Sequence, residues 1–350
     1  MQLEKMRKNP PKVLISGYYG FNNFGDEAVL SVLVNNLKES GIKDITVFSK
    51  NPEFTEKTYD VKSVNSFNLA EIFLSMMKTD FLISGGGSLL QDATSAKSLI
   101  YYLFIILLAL IFGKKVIIFA QGIGPINNKV LRAVTAFALK KCKYVTVRDE
   151  KSLNQMQKWG IKADLVSDPV WSLKLKRKYS HHAVGIQLRK WEGLTDELLQ
   201  EWAKYVYETY NDKIIFIYAL QKSLDLDICL RFEEILRTFK QDMHIHVVTN
   251  RATFEIVTAF SHLDEMIAMR YHACLLGLKY GIKVLPIVYD PKVEKLADEF
   301  EITERLSIKG ETDAKNKIHN LRYGEYHATF DKVSEKLFNF EKFKQALFEK

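Results

Sequence analysis

The feature that most restricts how this chain can fold is a unit repeated along nearly its whole length: a short apolar run followed by a helical stretch. In the first half the runs are KVLIS (12–16), DITVFS (44–49), DFLIS (80–84), KVIIFAQ (115–121) and YVTVR (144–148), and helical patterns fill 25–39, 68–78, 89–112, 128–142 and 149–159. The runs are rich in Val, Ile and Phe with little polar alternation, as expected of parallel strands covered on both faces. After DPVW (168–171) comes the basic stretch SLKLKRKYSHH, which has no clear period and is read as a crossing linker. The pattern then restarts with AVGIQL (183–188), KIIFIYAL (213–220), HIHVVT (244–249), EMIAM (265–269) and KVLPIVY (283–289), with helices expected near 195–210 and over 223–240, 252–262, 271–280 and 292–302. Strand–helix alternation of this kind predicts an α/β fold. The expected architecture is two doubly wound Rossmann-like domains facing a cleft, over 1–175 and 183–320, with a helical tail (321–350) packing back on the body. A length of 350 residues suits two domains of about 100–200 residues each.

In open sheets, ligands bind beyond the carboxyl ends of the strands, and the distinctive motifs all fall there. The first, SGYYGFNNFGDEAVL (16–30), spaces its glycines G-x-x-G-x-x-x-x-G, which is neither the dinucleotide fingerprint nor a P-loop. Asp26 stands at the start of the following helix, as its N-cap or as a carboxylate facing a ligand. In SGGGSLLQD (84–92) a strand ends in three glycines and a helix is expected near Ser88. Free N–H groups at a helix start attract anions or sugar oxygens, although a tight turn with a serine cap accounts for the same residues. QGIGP (121–125) repeats the arrangement one strand later. Adjacent glycine turns imply a surface where a ligand comes close to the backbone, so Gly17, Gly20, Gly86, Gly87, Gln91 and Gly122 are the candidate contact positions.

Cations recur at the same edges. Arg148, in VRDE, ends its strand and either clamps a carboxylate or phosphate in planar, bidentate fashion or is paired structurally. Asp149 is read as a helix cap and Asp168 as fixing the turn before Pro169. MRYHACLLGLKYG (269–281) places Arg270 and His272 two residues apart where a strand meets a helix, a setting suited to an oxyanion or phosphate. Histidine titrates near neutrality and can donate or accept a proton. In PIVYDPKVEKL (286–296) Pro291 suits the first helical position, which puts Lys292 in the first turn, where the helix dipole disfavours a cation without an anion nearby. His244 and His246 are read as structural, and no metal-ligating set is expected.

Bulk properties narrow the classes. Apolar residues make up 47% and charged residues 26%, a soluble globular composition. The formal charge of +8 suits an anionic small substrate or membrane surface, whereas the scattering of the lysines argues against nucleic acid. Cys142, Cys229 and Cys274 lie too far apart for a zinc motif or disulfide framework, and the N-terminal MQLEKMRKNPPKV has no apolar signal core, so a cytoplasmic location is expected. Leu99–Phe112 is apolar for 14 residues between lysines. That is short of the roughly 20 needed to span a bilayer, and reads either as a helix buried against a sheet or as a face that also docks on a membrane.

Taken in order, GYYGFNNFGDEAVL, ISGGGSLLQD, QGIGP, VRDEKS, DPVW, MRYHACLLGL and PIVYDPKV resemble the polysaccharide pyruvyl transferase family, most of all its CsaB branch, which acts on secondary cell wall polymers. The motifs span 13–298; the linker at 172–182 and the tail beyond 310 carry none. The resemblance implies a GT-B-like fold and a pyruvyltransferase that uses phosphoenolpyruvate as co-substrate, with no cofactor, to form a 4,6-ketal on a β-linked N-acetylmannosamine, releasing phosphate. The implied acceptor is a lipid-linked precursor met at the inner leaflet of the plasma membrane, and the modified polymer anchors S-layer proteins. On this resemblance Arg148, Arg270 and Lys292 hold the donor, His272 is the general acid/base, Asp26 orients or deprotonates the sugar hydroxyl, and the glycine loops of the first half face the acceptor. A homo-oligomer is left open. The rival readings are a GT-B glycosyltransferase with a nucleotide-sugar donor and a non-catalytic polymer-binding protein.

Overall fold

The structure, a computed structural model, describes residues 10–93, 95–174, 182–249, 252–308 and 330–349. The chain divides into two compact units, Met1–Leu173 with Lys336–Lys350, and Lys174–Glu335. Most of the linker at 172–182 and the first part of the tail expected over 321–350 lie outside the described residues.

In the first unit the strands are β1 (Val13–Ser16), β2 (Ile45–Ser49), β3 (Lys62–Asn65), β4 (Phe81–Ser84), β5 (Gly87–Leu90), β6 (Lys115–Ile123), β7 (Tyr144–Val147) and β8 (Asp164–Leu165). Their order is β3-β2-β1-β4-β6-β7-β8, with β5 paired beside the end of β6. Every pairing among the described residues is parallel, with Ser16 opposite Ser84 where β1 meets β4. The crossovers are α1 (Phe24–Glu39), α2 (Pro52–Tyr59), α3 (Leu69–Lys78), α4 (Ala96–Ile111), α5 (Lys129–Lys140) and α6 (Glu150–Lys158). Strand order reverses between β1 and β4, and the edge above that point is where such sheets bind ligands.

One core forms where Ile72 and Met76 of α3, Leu99, Leu103 and Ile106 of α4, and Ala138 and Leu139 of α5 pack on Leu14, Leu82, Val116 and Ile118 of the strands. Each fully buried Leu or Ile there contributes about 1.5–3 kcal/mol of apolar transfer. Phe119 alternates with Ile118 and points to the opposite face, where its ring meets Phe338, Phe340 and Phe343 at 5.0, 6.2 and 5.1 Å.

The second unit repeats the design with β9 (Ala183–Gln187), α7 (Asp196–Tyr210), β10 (Ile214–Tyr218), α8 (Lys222–Phe239), β11 (Ile245–Val248), α9 (Thr253–Phe260), β12 (Glu265–Ala268), α10 (Tyr271–Lys279), β13 (Lys283–Val288), α11 (Pro291–Glu299) and β14 (Leu306–Ser307). The order β11-β10-β9-β12-β13-β14 places its reversal between β9 and β12. Near the C-terminus, α12 (Phe330–Glu335) falls in the second unit and α13 (Glu341–Phe348) in the first.

Two expectations at the glycine motifs are corrected. No helix starts near Ser88: Gly87 takes a φ of +82°, the chain turns, and residues 87–90 form β5, whose ladder partners on β6 include Gln121 and Ile123. The N–H groups expected to be free are thus committed to a strand ladder, and the helix begins only after Ser95, which caps it through Ser98. QGIGP likewise does not turn at its first glycine, because β6 runs on through Gly122 to Ile123. Elements without a strong apolar run (α2 and the part-exposed β3, KSVN) were not legible from pattern.

One buried carboxylate holds the opening loop. Glu27 is 6% exposed; it accepts the Gly20 N–H at 2.7 Å and the Tyr59 O–H at 2.6 Å. Burial raises its carboxyl above the ordinary glutamate value, against the lowering effect of those two bonds. Glu27→Ala should lower stability by about 2 kcal/mol by stripping the Gly20 N–H of its acceptor, read as a shift in the urea midpoint. A raised folded value means the folded state binds the proton more tightly, so this contribution is full below the unfolded value and fades as the pH climbs through the folded one. The gap between wild type and variant should therefore narrow as the pH rises above the ordinary glutamate value.

Candidate active site

In the first unit, β5 brings together groups that are far apart in sequence. Asn23 caps α1, accepting from the Gly25 N–H at 3.2 Å, and its side-chain amide donates to Asp26 at 2.6 Å. Asp26 is therefore not the cap. It stands in the first turn, so close to β5 that a Cβ on Gly87 would lie 2.7 Å from its Oδ1. On the other side of β5, Arg148 donates from Nη1 to Asp168 at 3.0 Å and from Nη2 to Ser88 at 3.1 Å. A Cβ on Gly122 would meet Ser88 Oγ at 2.7 Å and Asp149 Oδ2 at 3.4 Å. Gly87 and Gly122 thus let an acid and a cation approach one short strand, with part-buried Gln91 just beyond it.

The other glycines have a different explanation. The side-chain space beside Gly17 is filled by the Tyr19 ring, that beside Gly20 by Ser49 and the Asn51 backbone, and that beside Gly86 by Val29. Close internal packing by itself accounts for glycine at these three positions. Around Asp26, burial first and the Asp26 charge second raise the phenols of Tyr18 and Tyr102 above the ordinary tyrosine value. Asp149 caps α6 as expected, accepting from Ser152 at 2.8 Å. Asp168 caps the turn at Pro169 through the Val170 N–H at 3.0 Å and is also the counter-ion of Arg148.

At the carboxyl edge of the second sheet, Arg270 is not the uncommitted cation that its position implied. Its Nε donates to Asp225 at 2.7 Å, and its Nη2 donates to the other Asp225 oxygen and, at 3.0 Å, to Gln221. The Arg270 N–H donates to Gln187 at 2.7 Å. With Arg270 and Asp225 at 13% and 0% side-chain exposure, this is a buried ion pair that ties the ends of β9 and β12 to α8. It fixes the turn from which α10 starts, with His272 in the first turn and part-buried. Asp290 caps α11 through the Lys292 N–H at 2.8 Å and Pro291 is the first helical residue, so Lys292 lies exposed in the first turn.

Arg189, just beyond β9, was not singled out from the sequence. Its Nη1 donates to the Tyr289 hydroxyl at 3.1 Å and its guanidinium lies 5.5 Å from the centre of that ring. Its Nε is buried and makes no hydrogen bond among the described residues. Trp191 completes the cluster, edge-on to Tyr289 at 5.0 Å. The signal was present, since Arg189 follows a strand as Arg148 and Arg270 do, but QLRK offers no glycine or helix start to mark it.

Among the described residues no group of His, Cys, Asp and Glu could hold a metal ion, and no helix is long and apolar enough to cross a membrane. The profile of the family described as polysaccharide pyruvyl transferase matches residues 23–291. The chain belongs to that family. No curated protein matches the sequence. As a polysaccharide pyruvyl transferase, it shares its fold with solved enzymes of distant sequence. A UDP-GlcNAc 2-epimerase from Methanocaldococcus jannaschii is 12% identical, with a TM-score of 0.58 over 88% of this chain and 90% of that one. One from Neisseria meningitidis is 12% identical, with a TM-score of 0.52 over 96% and 97%. A glycosyltransferase from Rickettsia africae is 11% identical, with a TM-score of 0.54 over 97% and 99%. At these identities the likeness is one of fold, the GT-B type with two Rossmann-like domains.

The Arg270–Asp225 pair yields a double-mutant test. Asp225→Ala leaves a buried guanidinium without its counter-charge and should lower stability by about 3–5 kcal/mol, whereas Asp225→Leu combined with Arg270→Met should cost far less. Denaturant midpoints of the variants decide it.

Proposed function

We propose that this transferase moves a pyruvyl group from phosphoenolpyruvate to two hydroxyls of one sugar in a cell wall polysaccharide precursor. Family membership over residues 23–291 carries the reading, and the chemistry at the strand ends supports it. Phosphoenolpyruvate brings a phosphate and a carboxylate, and the carboxyl edge of the second sheet carries Arg189 and Lys292 beside the turn that holds His272. Arg189, whose Nε has an unused donor, and Lys292 take those anions. Arg270, already engaged by Asp225, is a positioning residue. Arg148, tied to Asp168 and Ser88, orders the strand ends around Asp26.

The reaction is addition followed by elimination. His272 delivers a proton to the methylene carbon, C2 becomes oxocarbenium-like, and a sugar hydroxyl attacks it and gives up its proton to a base. Asp26, in the first unit, is the residue we assign to binding acceptor hydroxyls. Phosphate leaves and the second hydroxyl closes the ketal, so the atoms of donor and acceptor are recovered as ketal and phosphate. No organic cofactor or metal is required by these steps. The acceptor we favour is a β-linked N-acetylmannosamine on a lipid-linked secondary cell wall precursor, pyruvylated at O4 and O6 in support of S-layer anchoring.

Purified protein incubated with phosphoenolpyruvate and a panel of aryl-tagged disaccharides, N-acetylmannosamine-terminated among them, should release phosphate and yield a product heavier by one pyruvate less one water. Absence of both on every acceptor overturns the reading, and release of a nucleoside diphosphate from a nucleotide-sugar would replace it with a glycosyltransferase. His272→Ala should reduce kcat by about a hundredfold or more with the fold kept. Arg189→Ala should raise the KM for phosphoenolpyruvate by about tenfold or more, through loss of charge-assisted hydrogen bonds.

A further inference from the structure

The layer of α3, α4 and α5 has two kinds of outer surface at once, and nothing in the described residues covers it. All three helices pack on the same core, so their outer sides share one face of the first unit. That face presents large apolar side chains to solvent: Met77 on α3 is 52% exposed, Ile111 at the end of α4 80%, and Phe137 on α5 57%. Phe73 of α3 and Phe112 after α4 touch across the helix pair, with ring centres 6.1 Å apart.

The charge on α4 and α5 is of one sign, whereas α3 carries Glu71 in its first turn and Lys78 in its last. Residues 93–148, which contain all of α4 and α5, include nine Lys and Arg and no Asp or Glu, in a chain with 42 acidic residues among 350. On α5 Lys129 and Lys140 are exposed and Arg132 is part-exposed, whereas Thr135, Ala138 and Leu139 are buried. Lys97 is exposed at the start of α4, and Lys141 lies 6.0 Å from the Phe137 ring centre.

We propose that this face docks on an anionic lipid bilayer. Exposed aliphatic and aromatic side chains enter the boundary between headgroups and acyl chains, while the surrounding cations meet lipid phosphates. A protein partner would ordinarily be met by a polar rim of both signs, which α4 and α5 lack. The helices lie on the membrane and do not span it, since α4 has 16 residues against the roughly 20 needed to cross.

The face is continuous with the candidate site. Tyr18 stacks on Phe21 at 4.1 Å, Phe67 meets Phe21 at 6.5 Å, and Tyr101 on α4 meets Phe67 at 5.8 Å, so an aromatic strip runs from the loop before Asp26 to the docking helix. On the proposed reaction, a lipid-carried saccharide would reach Asp26 along this strip. That last step rests on the proposed reaction, whereas the docking does not.

The test is sedimentation of the full chain with vesicles of phosphatidylglycerol and phosphatidylcholine or of phosphatidylcholine alone. The wild type should partition to the anionic vesicles about tenfold more strongly, and added salt should weaken it. Met77→Glu with Ile111→Glu, and separately Lys97→Glu with Arg132→Glu, should each lower partitioning by about tenfold or more, with unchanged melting curves and unchanged phosphate release on a water-soluble acceptor. Wild-type protein that stays in the supernatant with anionic vesicles overturns the proposal, as does binding that neither double variant weakens. A wild-type dimer that Ile111→Glu dissociates, with no vesicle binding, would assign the face to a second copy and overturn it equally. Since binding is read apart from turnover, loss of one leaves the other interpretable.

Discussion

Parallel pairing across β1–β4 and β9–β12 is the constraint on which the rest of this molecule depends. A parallel strand cannot be joined to its neighbour by a tight turn, so each returns through a helix, and every strand of a unit exits at the same edge. Polar and charged groups excluded from the two-sided apolar sheets collect at that edge, where the reversal of strand order leaves room between crossovers. The buried polar groups there are largely spent on holding it in shape. Glu27 ties the loop after β1 to α2, and Asp225 ties the starts of α8 and α10 to the end of β9.

This division of labour separates scaffold from chemistry. Two arginines that stand at strand ends, Arg148 and Arg270, each meet a buried carboxylate. Such pairs are costly to break, because one partner's removal strands the other in a low-dielectric setting. Arg189 is held instead against a phenol and a ring face, with donor capacity left over. If the site binds an anionic donor, as proposed, a cation without a resident carboxylate is the one able to exchange water for substrate.

The helix layer on the first unit shows the same economy. The inner residues of α4, such as Leu103 and Ile106, close the core, and its outer residues, such as Ile111, leave an apolar surface bordered by lysines. The plain and the sharper readings of LIYYLFIILLALIF are therefore not exclusive, since a helix has two sides.

Most strands were legible because apolar, β-branched runs between turn residues have few alternative fates, and so were the helices between them apart from the polar α2. The polar β3 and the two-residue β8 and β14 were not, since what makes them strands is a neighbour's free edge. At the site, the chain's own order of residues determined that Arg148 and Arg270 stand at strand ends and that Asp26, His272 and Lys292 stand in the first turns of the helices that follow strands, because a near-continuous apolar run must stop where polar residues begin. Only the tertiary structure decided their company. Asp225 looks in sequence like one more acid in a helix's first turn, and Arg189 like a surface residue. A charge's role depends on what lies within a few ångströms, and here those partners come from residues 45 and 100 positions away.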